Sequence, residues 1–577
     1  MRFFKCVLLL PLFFCFILYA SAQSWPVPSY PNNYFQWPLA LKPALVANFG
    51  ELRPNHFHMG LDCRTEQKQN QLVLAAAPGY IAKVKIEPFG FGRCIYINHP
   101  NGLTTVYAHL NEFEPGLEKY VTAQQYNLKS WKVFLDIPAD LFPVKTGQFI
   151  AYSGNTGGSS GPHMHFEIRD TKTEKVLNPM LFGLPIPDNI APDIFRLAVY
   201  DRNISTYEQS TQLYALKQAN GMYTTVLPLL RVNTNMVSFG ISSFDRYTGS
   251  TNRNGIFQAV LYDNDVPITG FRLDSISYVE TRYLNAHIDY RLRASGGPFI
   301  QHLSRLPGFP EGVYKSFHGN GVISIADDSI HRIRIRVTDA AGNNSILQFN
   351  IKYDPVIPKK PIPAPPSSVT QKEFYPGIIN EFENNRISLI LEEKCLYDSF
   401  RFQYSETVLP GGDYIYHLHN NSVPLHLPFL VKIKAGIPAL LMDKVLIRRS
   451  WNAKNTYVKA EPVTIANEVW YKSGFREFGD FHLVVDTLPP VIIPVGFKDS
   501  MNMSKQNRIV FVVTDNSEGV KDFTATLDGK WLRFSNDKGR AYIYTFDENC
   551  LPGWHELIIT AEDLVGNKSE RKYHFVK

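Results

Sequence analysis

The chain has 577 residues, with 59 Lys and Arg against 53 Asp and Glu, for a formal net charge of +6. This mild excess of positive charge is spread along the sequence and does not form the basic cluster that is typical of nucleic-acid-binding proteins. At roughly 150 residues per domain the length predicts three to five domains, and the aromatic, Gly and Pro content favours strands and turns, so we expect a mainly β protein.

The N-terminus has the pattern of an export signal. Two positive charges lie between Met1 and Lys5, an unbroken apolar run covers Cys6 to Tyr19, and the small residues 20–22 precede Gln23. The apolar run is shorter than the roughly 20 residues that a membrane-spanning anchor needs, so a signal peptide over 1–22 is favoured over an anchor. We therefore predict export to the periplasm or cell envelope, or out of the cell, with no transmembrane anchor after cleavage. Cleavage removes two of the 59 basic residues and leaves 57 against 53 acidic ones, a charge near +4.

Four cysteines remain after residue 22, which is too few for a disulfide scaffold. Cys63 and Cys94 lie on strand-like segments of one predicted domain, and export permits oxidation, so a Cys63–Cys94 bridge is a hypothesis. Cys63 directly follows Asp62, and we interpret it as a buried small side chain rather than a metal ligand.

The first β-rich unit covers about 45–182. Leu72–Ala76, Tyr80–Ile86 and Cys94–Asn98 have the composition of short strands between Gly and Pro punctuation. Between Gly116 and Leu135, apolar residues recur near helical spacing, which predicts one or two helices inserted between the strands.

Beyond residue 185 the sequence becomes a series of short strands and polar turns. Residues 339–343 and 563–567 share the pattern Asp-x-x-Gly-Asn, each after an alternating strand. The pattern resembles the last hairpin of bacterial immunoglobulin-like domains. Calcium binding is the alternative interpretation, but each motif lacks the further oxygen ligands that Ca²⁺ requires, so we prefer turn stabilisation.

These patterns predict a domain order along the chain. The predicted segments are a signal peptide (1–22), a catalytic domain (38–186), an immunoglobulin-like β domain (187–353), a stiff Pro-rich linker (354–372), a second β domain (373–485) and a last immunoglobulin-like β domain (487–577).

Two short segments contain the residues of a candidate metal site. His163 and His165 are two apart in a predicted strand, so both imidazoles point to the same face. His58 and Asp62 are four apart, and Gly60 between them lets the backbone bend so that both side chains reach one ion. Two imidazoles and a carboxylate suit Zn²⁺ with a fourth position left for water, whose pKa the ion lowers from 15.7 to about 7.

Three motifs in this order are similar to the lysostaphin-type (LytM-like) zinc metallopeptidases, which cut the peptide cross-links of bacterial peptidoglycan. They are His58-x-x-x-Asp62, Tyr-x-His109-Leu and His163-x-His165. The resemblance implies a duplicated, barrel-like β-sheet catalytic domain carrying a short helical insertion, followed by about three β-sandwich domains. It also implies that Zn²⁺ is held by His58, Asp62 and His165, while His109 and His163 orient or deprotonate the attacking water.

Other functions and roles stay open from sequence. A non-catalytic peptidoglycan-binding regulator of other hydrolases is disfavoured because all five positions are filled. An adhesion or scaffold protein is a third interpretation, and the C-terminal β domains could bind envelope proteins. The stretch from Asn111 to Pro143 is longer than expected of the family and could form a wall beside the groove. His56 could orient a ligand or be solvated, Glu51 and Arg53 could contact substrate or form a surface ion pair, and Tyr107 could line the groove or pack.

Overall fold

The computed structural model describes residues 25–219, 221–358, 368–517, 519–539 and 541–577. The protein is mainly β, as the sequence predicts. The predicted signal peptide over 1–22 lies outside the described residues, and so do residues 359–367 of the predicted linker. The first strand after the linker, Thr370–Phe374, overlaps the last three residues of the predicted linker. Within the described ranges, no helix has both the length and the apolar character needed to cross a membrane.

The first domain contains fourteen strands and one α-helix in its described part. The strands are β1 Leu45–Ala47, β2 Leu52–Arg53, β3 His56–Phe57, β4 Leu61–Arg64, β5 Leu72–Leu74, β6 Gly79–Ile86, β7 Arg93–Asn98, β8 Leu103–Ala108, β9 Leu110–Phe113, β10 Val133–Asp136, β11 Pro143–Val144, β12 Phe149–Ser153, β13 His163–Asp170 and β14 Val176–Leu177. The main sheet has the order β1-β4-β13-β8-β7-β6-β10, and β5, β12 and β9 form a second, three-stranded sheet. A 3₁₀ turn at Pro179–Phe182 ends the domain.

The inserted segment forms one helix, α1 Pro115–Leu128, followed by the strand β10. The Glu114 side chain caps the helix by accepting hydrogen bonds from the first backbone amides, and Lys129 ends it in the left-handed conformation. The sequence therefore predicts the helix but not the strand after it. Leu128, one of the apolar residues behind the prediction, is 58% exposed.

Three further β domains follow. The second has strands at Asp193–Asp201, Gln212–Ala219, Met222–Thr225, Leu230–Val232, Met236–Phe244, Gln258–Asp263, Val266–Arg272, Ser275–Ile276, Gln301–His302, Tyr314–Ser316, Ile323–Ser324, His331–Thr338 and Asn344–Tyr353, and short helices at Thr281–Tyr283, Leu284–His287 and Tyr290–Ala294. The third has strands at Thr370–Phe374, Asn380–Glu383, Ile387–Leu391, Phe400–Val408, Tyr414–Leu418, Phe429–Lys434, Val445–Trp451, Lys454–Lys459, Glu461–Ile465, Glu468–Phe475 and Gly479–Val485, and a 3₁₀ helix at Ala439–Lys444. The fourth has strands at Val491–Pro494, Met501–Asn502, Arg508–Thr514, Val520–Leu527, Lys530–Trp531, Ala541–Thr545, Trp554–Asp563 and Lys568–Val576.

The four domains do not each have a separate hydrophobic core. Most buried apolar side chains of the first three domains form one continuous cluster, apart from a small group of Ala198, Tyr200 and Ile300 in the second domain, whereas the fourth domain has a core of its own. The Ser275–Ile276 strand of the second domain also pairs with β14 and so extends the first domain's main sheet. The first three domains are therefore packed as one body rather than separated by spacers.

The hypothesised Cys63–Cys94 bridge is wrong in this structure, where both thiols are free and buried. Cys63 is on β4 and Cys94 on β7, and two strands lie between β4 and β7 in the sheet. Strands in a sheet are about 4.8 Å apart, so this places the two cysteines roughly 14 Å apart, beyond the reach of a disulfide.

Candidate metal centre

The candidate ligands are brought together by one pair of neighbouring strands. β4 and β13 are antiparallel, and their register places His165 directly opposite Asp62. His58 lies just before β4 and is buried with them. Opposite residues of an antiparallel pair have side chains on the same face, so the sheet itself directs Asp62 and His165 to one point.

Three ligand atoms converge at that point. His58 Nε2 lies 2.9 Å from Asp62 Oδ1 and 3.0 Å from His165 Nδ1, and His165 Nδ1 lies 3.0 Å from Asp62 Oδ1. Each residue is at most 5% exposed. In a tetrahedral zinc site with ligand bonds of about 2.0–2.1 Å, neighbouring ligand atoms are roughly 3.3 Å apart, so the triangle has the size of a coordination face.

Hydrogen bonds on the far side of each imidazole fix which nitrogen faces this point. His58 Nδ1 donates to the backbone carbonyl of Asn48 at 2.7 Å, which leaves the lone pair on Nε2. His165 Nε2 donates to Glu167 Oε1 at 2.9 Å, which leaves the lone pair on Nδ1. Neutral rings would thus turn two lone pairs and a carboxylate oxygen towards each other at about 3 Å, an arrangement that a cation between them would satisfy. The donor set fits zinc.

The titration behaviour of the metal-free cluster agrees with this arrangement. Burial lowers the pKa of His58 to about 4, although Asp62 acts against the shift. Burial also acts to lower the pKa of His165, but hydrogen bonds to Asp62 and Glu167 raise it to about 9. Burial would raise the pKa of Asp62, but His58 and the other two imidazoles hold it well below its usual value.

Residues behind the ligands hold them in position. Glu167 is fully buried, and its second oxygen accepts a hydrogen bond from Arg169 Nε at 2.6 Å. Burial acts to raise the pKa of Glu167, but the charge of Arg169 lowers it to about 2, so the carboxylate is ionised. The Arg53 guanidinium lies 2.6 Å from Asp62 Oδ2 and 3.4 Å from Glu51. Arg53 thus pairs with Oδ2 of Asp62 and leaves Oδ1 to face His58 and His165.

Gly60 is required for a reason other than the predicted bend, because its φ angle is not positive. A Cβ at residue 60 would lie 2.5 Å from the carbonyl oxygen of Phe166 and 2.8 Å from the His165 imidazole. Gly60 therefore allows β13 and the His165 ring to approach the His58–Asp62 segment closely.

His109 lies beside the ligands, in the sharp turn between β8 and β9. Its φ of +60° places it in the left-handed region, and Nδ1 donates to the Thr156 carbonyl at 2.9 Å. Burial, with the nearby His163 and His165 imidazoles, lowers the pKa of His109 to about 3, so the ring is neutral with its Nε2 lone pair free to accept a proton. The His109 and His163 rings are 4.8 Å apart.

His163 is the outermost of the five residues. Nδ1 lies 2.9 Å from the Gly161 carbonyl and 3.1 Å from the Ser159 hydroxyl, and Nε2 lies 3.4 Å from Asp62 Oδ1 without a hydrogen-bond partner. His109, His163 and Asp62 all line a cleft of about 670 Å³. The structure thus brings the five residues singled out from sequence together, with three of them on the cleft and His58 and His165 buried beside Asp62.

Other candidates have structural roles. His56 is exposed and its ring lies 2.8 Å from the Pro54 carbonyl, so it does not orient a ligand. Tyr107 is fully buried, with its hydroxyl bonded to the Ala76 amide, so it packs rather than lines the groove. No described residue of the 111–143 insertion lines the cleft, whose walls include Arg64, Ser159 and Asn252.

The sequence interpretation missed several residues of the site. Glu167 could have been found, because it is two residues beyond His165 on the same strand face. Tyr278 donates to Glu167 Oε1 at 2.6 Å, and Asn252 belongs to the cleft wall. These two come from the second domain, more than 80 residues beyond His165, and carried no local signal.

A β-sheet domain with a His-Asp-His cluster and two further imidazoles on one cleft defines a metallopeptidase type of centre. Residues 56–126 and 142–179 match the family model described as Peptidase family M23, and residues 373–486 match a Zu5-like domain. The first domain is therefore an M23, LytM-like domain, as the motifs predict.

Relatives match over this domain only. An uncharacterized metalloprotease of Haemophilus influenzae is 33% identical over 136 residues, which are 24% of this chain and 22% of that protein. The DD-carboxypeptidase/endopeptidase Mpg of Neisseria meningitidis is 32% identical over 131 residues, 23% of this chain and 24% of that protein. The chain thus spans about a quarter of the length of these curated relatives. The catalytic domain of lysostaphin from Staphylococcus simulans is 23% identical, with 24% of this chain and 90% of that chain covered and a TM-score of 0.18.

Proposed function

We propose that the protein is an exported zinc metalloendopeptidase that hydrolyses peptide cross-links of bacterial peptidoglycan. The observation that carries the proposal is the convergence of His58, Asp62 and His165, each held by a hydrogen bond behind it, beside a cleft that Asp62, His109 and His163 line. Zinc bound by the three ligands would supply an activated water and polarise the scissile carbonyl.

The protein residues have separate tasks in this proposal. His109 is neutral, and its free Nε2 can accept the proton of the attacking water. Because Nδ1 of His163 donates to the Gly161 carbonyl, its unpartnered Nε2 carries a proton only in the imidazolium form, and in that form it can donate a hydrogen bond to the oxygen that becomes negative as the carbonyl is attacked. Arg64 adds a positive charge to the cleft wall, which suits the carboxylates of peptidoglycan stem peptides.

The test compares His165→Ala with His56→Ala, a matched control that alters an exposed histidine of the same domain. We expect His165→Ala to lose bound zinc, measured by elemental analysis, and hydrolysis of purified sacculi, measured by mass spectrometry of the released peptides. His56→Ala should keep both. His109→Ala should keep zinc but lose on the order of 10²–10⁴-fold in rate.

The same measurements test the alternative of a non-catalytic regulator. A wild-type protein that binds sacculi, carries no zinc and releases no peptide would refute the enzyme and support the regulator. Export is tested separately by sequencing the N-terminus of the mature protein, which we expect to begin at Gln23.

A further inference from the structure

Two clusters of three aspartates, none of which lines the metallopeptidase cleft, lie where the chain enters the second and the fourth domain. In each cluster the carboxylate oxygens of all three residues lie within 4.8 Å of one another. The members are Asp188, Asp245 and Asp339 in the second domain, and Asp486, Asp515 and Asp563 in the fourth.

The cluster of the second domain joins three distant segments. Asp188 precedes the first strand of the domain, Asp245 follows the strand Met236–Phe244, and Asp339 begins the Asp-x-x-Gly-Asn turn. The Asn343 side chain links two of these segments. Its amide donates to the backbone carbonyl of Asp188 at 3.4 Å and to Asp339 Oδ2 at 2.9 Å.

The cluster of the fourth domain is built in the same way. Asn567 donates to the Asp486 carbonyl at 3.1 Å and to Asp563 Oδ2 at 2.7 Å. In the second domain the Ser345 hydroxyl donates to the Pro192 carbonyl at 2.6 Å. In the fourth domain the Ser569 hydroxyl donates to the Pro490 carbonyl at 2.5 Å. The same arrangement, in which an aspartate before the first strand, an aspartate after a later strand and the Asp-x-x-Gly-Asn turn come together, thus occurs twice in the chain.

Buried carboxylate oxygens without partners point to a missing ligand. Asp245 is 1% exposed, and neither of its carboxylate oxygens has a hydrogen-bond partner. Asp188 Oδ2 is also buried and unpartnered. Asn254 forms a β-bridge with Asp245, which places its side chain on the same face, and its Oδ1 is buried without a partner as well. Polar atoms are rarely buried in this way unless something else satisfies them.

The fourth domain repeats this feature with fewer free atoms. Asp486 is 2% exposed, and its Oδ2 is unpartnered, as is Asp515 Oδ2. Asp563 is fully buried, and its oxygens accept hydrogen bonds from its own turn but keep further lone pairs.

None of the salt bridges between described residues includes one of the six aspartates, although Lys521, whose ammonium group bonds Glu562, also interacts with the charge of Asp563. Burial, reinforced by Asp188 and Asp339, raises the pKa of Asp245 to about 8, and burial raises that of Asp188 to about 6. Three carboxylates in one place repel each other unless protons or a cation separate them.

We propose that each cluster is a calcium-binding site. The donors are all hard oxygens, most of them carboxylates able to bind through two atoms, which is the preference of Ca²⁺ with its six to eight oxygen ligands. Zn²⁺ favours nitrogen and sulfur, and Mg²⁺ demands a smaller octahedral cage that keeps most of its waters. The motif alone offers too few oxygens, as the sequence indicates, but the fold adds two carboxylates from other segments.

The position of the sites gives the ion a structural task. Asp188 stands where the chain passes from the first domain to the second, and Asp486 where it passes from the third to the fourth. An ion held by the entrance aspartate and by two strand ends would fasten the connecting segment to the domain that follows it. Calcium would therefore stiffen both junctions.

The experiment titrates CaCl₂ into the full-length zinc-loaded protein by calorimetry and follows the thermal midpoint in parallel. We expect two calcium ions per chain, with affinities between about 10⁻⁶ and 10⁻³ M, and a rise in thermal midpoint. Asp245→Asn should remove one ion, Asp515→Asn the other, and the double variant both. Asp265→Asn, an exposed residue of the second domain, is the matched control and should bind two.

The heat stability of the calcium-free proteins distinguishes a variant that misfolds from one that has only lost the calcium site. Asp245→Asn removes a buried carboxyl group whose oxygens have no hydrogen-bond partner, so without calcium the variant should be at least as heat-stable as the wild type while its response to calcium is reduced. The proposal is overturned if the full-length protein binds no calcium at about 10 mM, well above the weakest expected dissociation constant of about 10⁻³ M. It is also overturned if Asp245→Asn and Asp515→Asn keep both ions, or if MgCl₂ at equal concentration gives the same response.

Discussion

The hydroxyl of Tyr278 donates a 2.6 Å hydrogen bond to Glu167 Oε1, the same oxygen that accepts the ring N–H of His165. Tyr278 belongs to the second domain and Glu167 to the first. The second domain therefore reaches the metal centre from behind, through one carboxylate.

A similar link supports the other ligand histidine. The Asn48 carbonyl accepts the hydrogen bond from His58, while the Asn48 side chain bonds the Gly255 backbone at 2.8 and 2.9 Å. Both imidazoles of the candidate zinc site are thus oriented by groups that the second domain holds in place.

We expect Glu167→Gln to weaken zinc binding by about 10–100-fold, because the carboxylate fixes the tautomer and orientation of His165. Tyr278→Phe should weaken zinc binding by less, up to about 10-fold, since Arg169 still holds the carboxylate. Competition with a chelator measures both affinities. Tyr262→Phe, another tyrosine of the second domain, is the control. Equal affinities in Tyr278→Phe and wild type would show that the contact does not position the ligand.

A second prediction concerns truncation. If the β domains were only spacers, residues 25–186 would retain the full zinc affinity and activity. The structure predicts the opposite, because this fragment lacks both Tyr278 and Gly255 and is cut from a continuous core. We expect its zinc affinity to fall at least about 10-fold, whereas residues 25–486 should keep that of the full chain.

The short fragment could also fail because it does not fold, so a point variant accompanies it. Asn48→Ala keeps the backbone carbonyl that orients His58 but loses the two bonds to Gly255. We expect a folded protein with weaker zinc binding. Wild-type affinity in this variant would leave the spacer interpretation standing.

A third prediction concerns Lys538 of the fourth domain. Its ammonium group donates to Asn155 Oδ1 and to the carbonyls of Gly157 and Ser159, at 3.3, 3.3 and 2.7 Å. Ser159 in turn contacts the His163 ring. Lys538→Met should therefore loosen the Gly-rich loop and increase amide hydrogen exchange over residues 154–162, with a several-fold loss of sacculus hydrolysis and unchanged zinc content. Lys530→Met, an exposed lysine of the same domain, should change none of these, and unaltered exchange in Lys538→Met would refute the role.

The sequence predicted the parts of the centre that depend on local geometry. Strand periodicity was enough to place His163 and His165 on one face, and the same logic extends to Glu167. Contacts between segments far apart in sequence left no such signal, and Tyr278 and Asn252 were missed for that reason. The Cys63–Cys94 hypothesis failed on the same point, because strand order in a sheet cannot be read from the strands one at a time. The helix was predicted, but its partner was not: Gln125 is fully buried and bonded to Arg533 of the fourth domain.

The last prediction concerns acid stability and His287, which lies under the hairpin that leads to His58. The imidazole is fully buried against Phe57 and Phe271, and its nitrogens lie 2.9 Å from the Tyr314 hydroxyl and 3.1 Å from Gln301 Oε1. Burial lowers its pKa to about 3, against an ordinary value of 6.5.

Below pH 6.5 the unfolded chain binds a proton at this residue and the folded chain does not, so the free energy of unfolding falls as the pH decreases. The slope is about 1.4 kcal/mol per pH unit for one such group, down to the folded pKa near 3. Urea denaturation between pH 7 and 4 measures it. We expect His287→Gln to be less stable than wild type at pH 7 but to lose stability less steeply on acidification, by about that slope. Parallel pH profiles in His287→Gln and wild type would mean that this histidine does not contribute to acid unfolding.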